Sequence, residues 1–132
     1  MGYIELQNEL IQKYRIKLDP YSKCRSRTHV HVKQRRICKW KHAASAEATF
    51  TLLHEIGHCE NNSSKILNRG MRRCEEEYYA TQWALDKCKE LGIKVKDKTI
   101  EDYQSYVYRE LARGLRRGGV DYPTKEEMRL VY

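Results

Sequence analysis

Apolar positions recur every three or four residues through most of the chain and every second residue in one short region. The pattern predicts helices with a small sheet between the first and second of them. Tyr3, Leu6, Leu10 and Tyr14 mark an amphipathic helix over 3–16, broken by Asp19-Pro20. THVHV (28–32) and RICKWK (36–41) alternate as two strands, with Lys33-Gln34-Arg35 as the turn. The first strand puts His29 and His31 on one face, a spacing that could bind metal, but with no third ligand evident nearby a solvent-facing pair is expected. The second puts Ile37, Lys39 and Lys41 on one face and Cys38 and Trp40 on the other. One of these strands, as an edge, could accept an extended peptide by backbone pairing.

Ser45 is placed to cap a helix over 46–60, which Asn61-Asn62-Ser63-Ser64 ends. The polar stretch to Arg73, with Gly70, reads as a loop or a short irregular helix. A second long helix is predicted over 74–91, with Gly92 as its stop and Ala80, Ala84, Cys88 and Leu91 as a stripe of mostly small residues. Such a stripe lets a neighbouring helix approach closely. A third helix is predicted over 99–117, capped by Thr99 and Asp102. Ile100, Tyr103, Val107 and Leu111 give it a core face, with Leu115 near the stripe, and Gly118-Gly119 ends it. The tail, 120–132, either forms one turn after Thr124, with Glu127 completing a capping box, or stays loose.

At 132 residues, 40% hydrophobic and 33% charged, the chain suits one soluble domain over 1–132 with a modest core. No apolar run approaches membrane-spanning length, and MGYIELQNEL lacks a basic-then-apolar signal pattern, so neither membrane insertion nor secretion is expected. The five cysteines (Cys24, Cys38, Cys59, Cys74, Cys88) show no CxxC spacing and read as reduced, mostly core thiols of a cytosolic protein. A second metal site from Cys24 and Cys38 with His29 or His31 has no paired ligand spacing behind it. The net charge of +8 is uneven: Lys13 to Lys41 holds eleven Lys and Arg against Asp19 alone. That segment could meet nucleic acid or an acidic protein, or form a solvated face.

The chemistry concentrates in ATFTLLHEIGHCENN. On a helix, His54 and His58 stack on one face, and Glu55 lies about 100° round the axis at the edge of that face. Two imidazoles so placed can hold zinc from one side, and the glutamate can take a proton from the water that zinc activates. Leu52, Ile56 and Cys59 fall on the opposite face, which leaves the histidine face free to look into a cleft. Catalytic zinc needs a third protein ligand. Glu77 opens the small-residue stripe of the next helix, and a carboxylate on a close-packed face needs a partner such as zinc. Glu76 is its nearest rival, followed by Glu75. Both read as solvated and as favouring the positive end of the helix.

These residues resemble the ImmA/IrrE-like metallopeptidases, gluzincin-type enzymes often encoded by phages and mobile elements. The likeness rests on Phe50-Thr51-Leu52 leading into HEIGH, then on Glu77, Ala80, Trp83 and Ala84 in a Glu-x-x-Ala-x-x-aromatic-Ala helix. It covers about 46–91. The chain departs in having Leu53 before His54 where the family commonly has alanine. It also has Asp86-Lys87-Cys88-Lys89 in place of a Leu-Leu-Met-Pro ending.

The resemblance implies an α+β, minimal zincin-like domain, in which a two- or three-stranded sheet packs on three main helices around a central HExxH helix. It implies Zn2+ on His54, His58 and Glu77, Glu55 as general base, and a protein substrate such as a repressor or regulator. The setting it implies is the cytoplasm of a bacterial or phage-infected cell. Tyr103, Tyr106 and Arg109 are candidates for holding the oxyanion or substrate, against packing or a solvated face. Two other readings stand beside the peptidase. One is a catalytically weak zinc module whose segment 13–41 binds nucleic acid or an acidic host protein. The other is a metal-dependent hydrolase of something other than peptides.

Overall fold

The computed structural model describes residues 2–19, 28–63 and 73–117. Its first element, α1 (Tyr3–Lys13), ends three residues before the expected limit. Arg15 adopts a left-handed φ of 54°, and the Ile16 N–H reaches back to the Ile11 carbonyl, so the chain turns out of the helix. It then runs extended as β1 (Lys17–Asp19), a strand that three residues are too few to announce by alternation. Leu10 and Ile16 enter the core. So does Gln7, fully buried on the inner face of α1, where its amide donates to the Ala43 carbonyl (2.7 Å) and to Thr49 Oγ1 (3.0 Å). Both contacts cross to other parts of the chain, which is how a polar side chain is accommodated there.

β2 (His29–His31) and β3 (Arg36–Cys38) flank a single 3-10 turn, Val32–Gln34, and Arg35 in the left-handed region. The sheet is mixed, in the order β1-β3-β2, with β1 parallel and β2 antiparallel to β3. A central strand is covered on both faces, so the two-faced alternation expected over 36–41 fails. Ile37, Cys38 and Trp40 are all buried, and Lys39 leaves the extended region at φ 58°. Arg35 joins three elements: its guanidinium donates to the Tyr14 carbonyl past the end of α1 and pairs with Glu60.

α2 (Ala46–Ser63) begins where its cap predicts, with Ser45 Oγ accepting from the Ala48 N–H at 3.1 Å. Its stripe of Leu52, Ile56 and Cys59, with Phe50 and Leu53, is wholly buried and forms the centre of the core. α3 (Arg73–Leu91) packs along α2, and the small residues permit close contact. A Cβ built on Gly57 would lie 2.9 Å from the Ala80 carbonyl oxygen. Ala80, Ala84 and Cys88 are buried, but Leu91 is 44% exposed and leaves the stripe. The helix ends in a Schellman arrangement, the Gly92 N–H on the Lys89 carbonyl and the Ile93 N–H on that of Cys88, with Gly92 at φ 70°.

α4 (Asp97–Arg117) starts two residues before the expected cap. The Thr99 N–H already bonds the Lys96 carbonyl, so Thr99 sits inside the first turn rather than capping it. α4 packs on α3 and turns Val107 inward. The described chain is thus α+β, with four helices and a three-stranded mixed sheet. Among the described residues, no helix is long and apolar enough to cross a membrane. The tail over 120–132, with Thr124 and Glu127, lies outside the described residues, as does Cys24.

Candidate metal centre

Three or four residues of α2 make one turn, so His54 and His58 present their rings together, centroids 4.8 Å apart. α3 crosses them at its Glu77 end, because Ala80, one turn on, rests against Gly57. Glu77 Oε2 lies 3.2 Å from His58 Nε2 and 3.1 Å from His54 Nε2. The first is a hydrogen bond. The second is close but off the hydrogen-bond line, and both ring nitrogens of His54 are buried without a hydrogen-bond partner.

Lone pairs that converge on a common point produce this arrangement. Tetrahedral zinc with ligand bonds near 2.0–2.1 Å separates neighbouring ligand atoms by about 3.4 Å. The observed contacts differ from that by a few tenths of an ångström, and one ligand atom from each of the three residues falls within 4.8 Å of the others. The residues therefore fit a metal ion. Glu77 is 4% exposed and His54 5% exposed, so little water competes for them.

Without metal, the cluster is held by charge. Burial alone would push the His54 imidazole down, but the carboxylates of Glu55 and Glu77 outweigh it and raise His54 to about 9. Burial likewise works against the Glu77 carboxylate. The two imidazoles more than offset it and hold Glu77 far below the usual carboxylate range. The site is thus a carboxylate facing a protonated imidazole, a pair that a divalent cation displaces by releasing a proton.

A cavity of about 500 Å³ opens over the cluster. His54, Glu55 and His58 form its α2 wall, with Glu55 Oε1 3.7 Å from His54 Nδ1 and half-buried. Glu76 also lines it beside Glu77, so this carboxylate is not simply solvated as the sequence suggested. α4 supplies Asp102, Tyr103 and Tyr106. The Tyr103 ring lies 4.8 Å from that of His54, and its hydroxyl donates to Thr51 Oγ1 at 3.2 Å. Burial pushes the Tyr103 phenol up, with Glu55 and Glu77 adding to the shift against the Thr51 contact, so it stays protonated and able to donate. Arg109 is exposed and is not among the lining residues.

The opposite wall carries what the sequence placed in solvent. His29 is 9% exposed and buried, His31 is half-buried, and both line the cavity. Pairing of β2 with β3 sets Cys38 directly opposite His29, and this was not legible from spacing alone. Among the described residues, the basic segment 13–41 brings Thr28, β2 and Val32 to the site. Comparison with protein-family models, with curated proteins and with solved structures finds no match to this chain.

Proposed function

We propose that this chain is a zinc-dependent metallopeptidase of the ImmA/IrrE-like type, with a minimal zincin-like arrangement centred on α2. The observation that supports it most is the convergence of His54, His58 and Glu77, from two helices, beside a cavity that Glu55 also lines. Zinc bound by these three would supply Lewis acidity toward a peptide carbonyl and toward water. The Glu55 carboxylate stands at the edge of the ligand cluster, where it can accept the proton of the attacking water and pass it to the leaving amine. Tyr103 and Tyr106 are the cavity's phenol donors for the developing oxyanion. Among the described residues β2 is an edge strand of the sheet, and it lines the cavity, so its outer backbone groups can hold an extended peptide straight across the cluster. The substrate is then a protein segment that can be drawn out as a strand, such as part of a cytoplasmic repressor or regulator.

The test joins metal content to turnover on a library of extended peptides, with cleavage read by mass spectrometry. Glu55→Gln should keep the zinc bound by wild type and cleave nothing, whereas His54→Ala and Glu77→Ala should each lose one equivalent of zinc. Wild-type zinc content in Glu77→Ala, or undiminished cleavage by Glu55→Gln, would overturn the proposal.

A further inference from the structure

We propose that His29, His31 and Cys38 form a second transition-metal site, two imidazoles and a thiolate, on the sheet side of the same cavity. Alternation along β2 puts His29 and His31 on one face, and the antiparallel register sets Cys38 opposite His29 on that face. One ligand atom from each of the three lies within 4.8 Å of the others. Ligand atoms around tetrahedral zinc with one sulfur are separated by about 3.4–3.6 Å, so rotation of the side chains suffices to close on an ion. The imidazole rings already meet edge to face with centroids 5.1 Å apart. His31 Nε2 is buried with no hydrogen-bond partner, an arrangement that costs free energy unless something binds there.

The donor set selects the metal. A thiolate with two imidazoles suits zinc, and copper among its competitors, and is poorly suited to magnesium or calcium. Among the described residues, Cys38 is the cysteine that joins two imidazoles in a three-ligand group. Burial pushes the Cys59 and Cys88 thiols up to about 11, which keeps them as core thiols. On binding, Cys38 Sγ gives its proton to solvent and the new bonds join β2 to β3. Both strands are three residues long, and pairs that short are marginal on their own. A metal bridge would hold the edge strand of the cavity in register. This site is independent of the His54, His58 and Glu77 cluster and survives if that cluster fails.

Cobalt(II) titration of the full chain, followed by absorbance, tests it. Wild type should take up two equivalents, one of them raising a near-ultraviolet thiolate-to-cobalt charge-transfer band. Cys38→Ser and His31→Ala should each lose that band and one equivalent, while His54→Ala should keep the band. His31 is half-buried, so His31→Ala carries the test should Cys38→Ser fail to fold, with circular dichroism as the check. A wild-type protein without the band, or a band that persists at full strength in either variant, would overturn the site.

Discussion

Gly57→Ala tests whether helix packing sets the metal geometry. The added Cβ would meet the Ala80 carbonyl oxygen at 2.9 Å, Ala80 Cα at 3.3 Å and Trp83 Cε3 at 3.3 Å. Two of these are backbone atoms, so rotating a side chain does not relieve the clash. α3 must retreat from α2 by about half an ångström to regain ordinary contact. Overpacking of this kind costs about 1–3 kcal/mol. Alanine at a helix-interior glycine would by itself stabilise by about 1 kcal/mol. The balance is a zinc-free protein less stable by roughly 0–2 kcal/mol.

The effect on metal should be larger in kind. Gly57 lies between His54 and His58, and Ala80 follows Glu77 by one helical turn, so the same retreat draws the carboxylate from the imidazoles. Ligand distances tolerate only about 0.2 Å of error. Zinc affinity at this cluster should fall by roughly ten- to a hundredfold, the range seen when groups supporting a metal site are disturbed. Chelator-competition titration measures the affinity, and urea unfolding of metal-free protein measures stability. If Gly57→Ala is about 1 kcal/mol more stable than wild type and binds zinc equally well, helix propensity alone governs the site and the packing argument is refuted.

Three further outcomes follow from the buried polar groups. Because His54 is raised to about 9, its contribution to the stability of metal-free protein is complete below pH 6.5 and is lost as pH rises through 9. The depressed Glu77 contributes above the ordinary carboxylate range and loses its share as pH falls below it. Urea midpoints should therefore be higher at pH 6 than at pH 9.5. Zinc affinity should run the other way, rising about tenfold per pH unit from 7 toward 9 as one proton is displaced, and a flat profile there would contradict the charged pair. Gln7→Leu should cost about 1–3 kcal/mol in urea unfolding, because the Ala43 carbonyl and Thr49 hydroxyl lose a buried donor. A loss under about 0.5 kcal/mol would place Gln7 outside the core network.

What the chain states locally is legible in its sequence. The start of α2 at Ser45, the Gly92 stop, the buried stripe of Leu52, Ile56 and Cys59 and the shared face of His54 and His58 each follow from residues within one or two turns. Glu77 was reachable as well, because a carboxylate heading a stripe of alanines conflicts with burial unless it meets an opposite charge. Tertiary structure alone decided the rest. β1, the satisfied burial of Gln7, the inward His29 and His31, Cys38 opposite them and Gly57 against Ala80 all depend on partners distant in the chain. Periodicity tells which face of a strand or helix is apolar, but strand register and the closeness of two helices are set only when those faces meet.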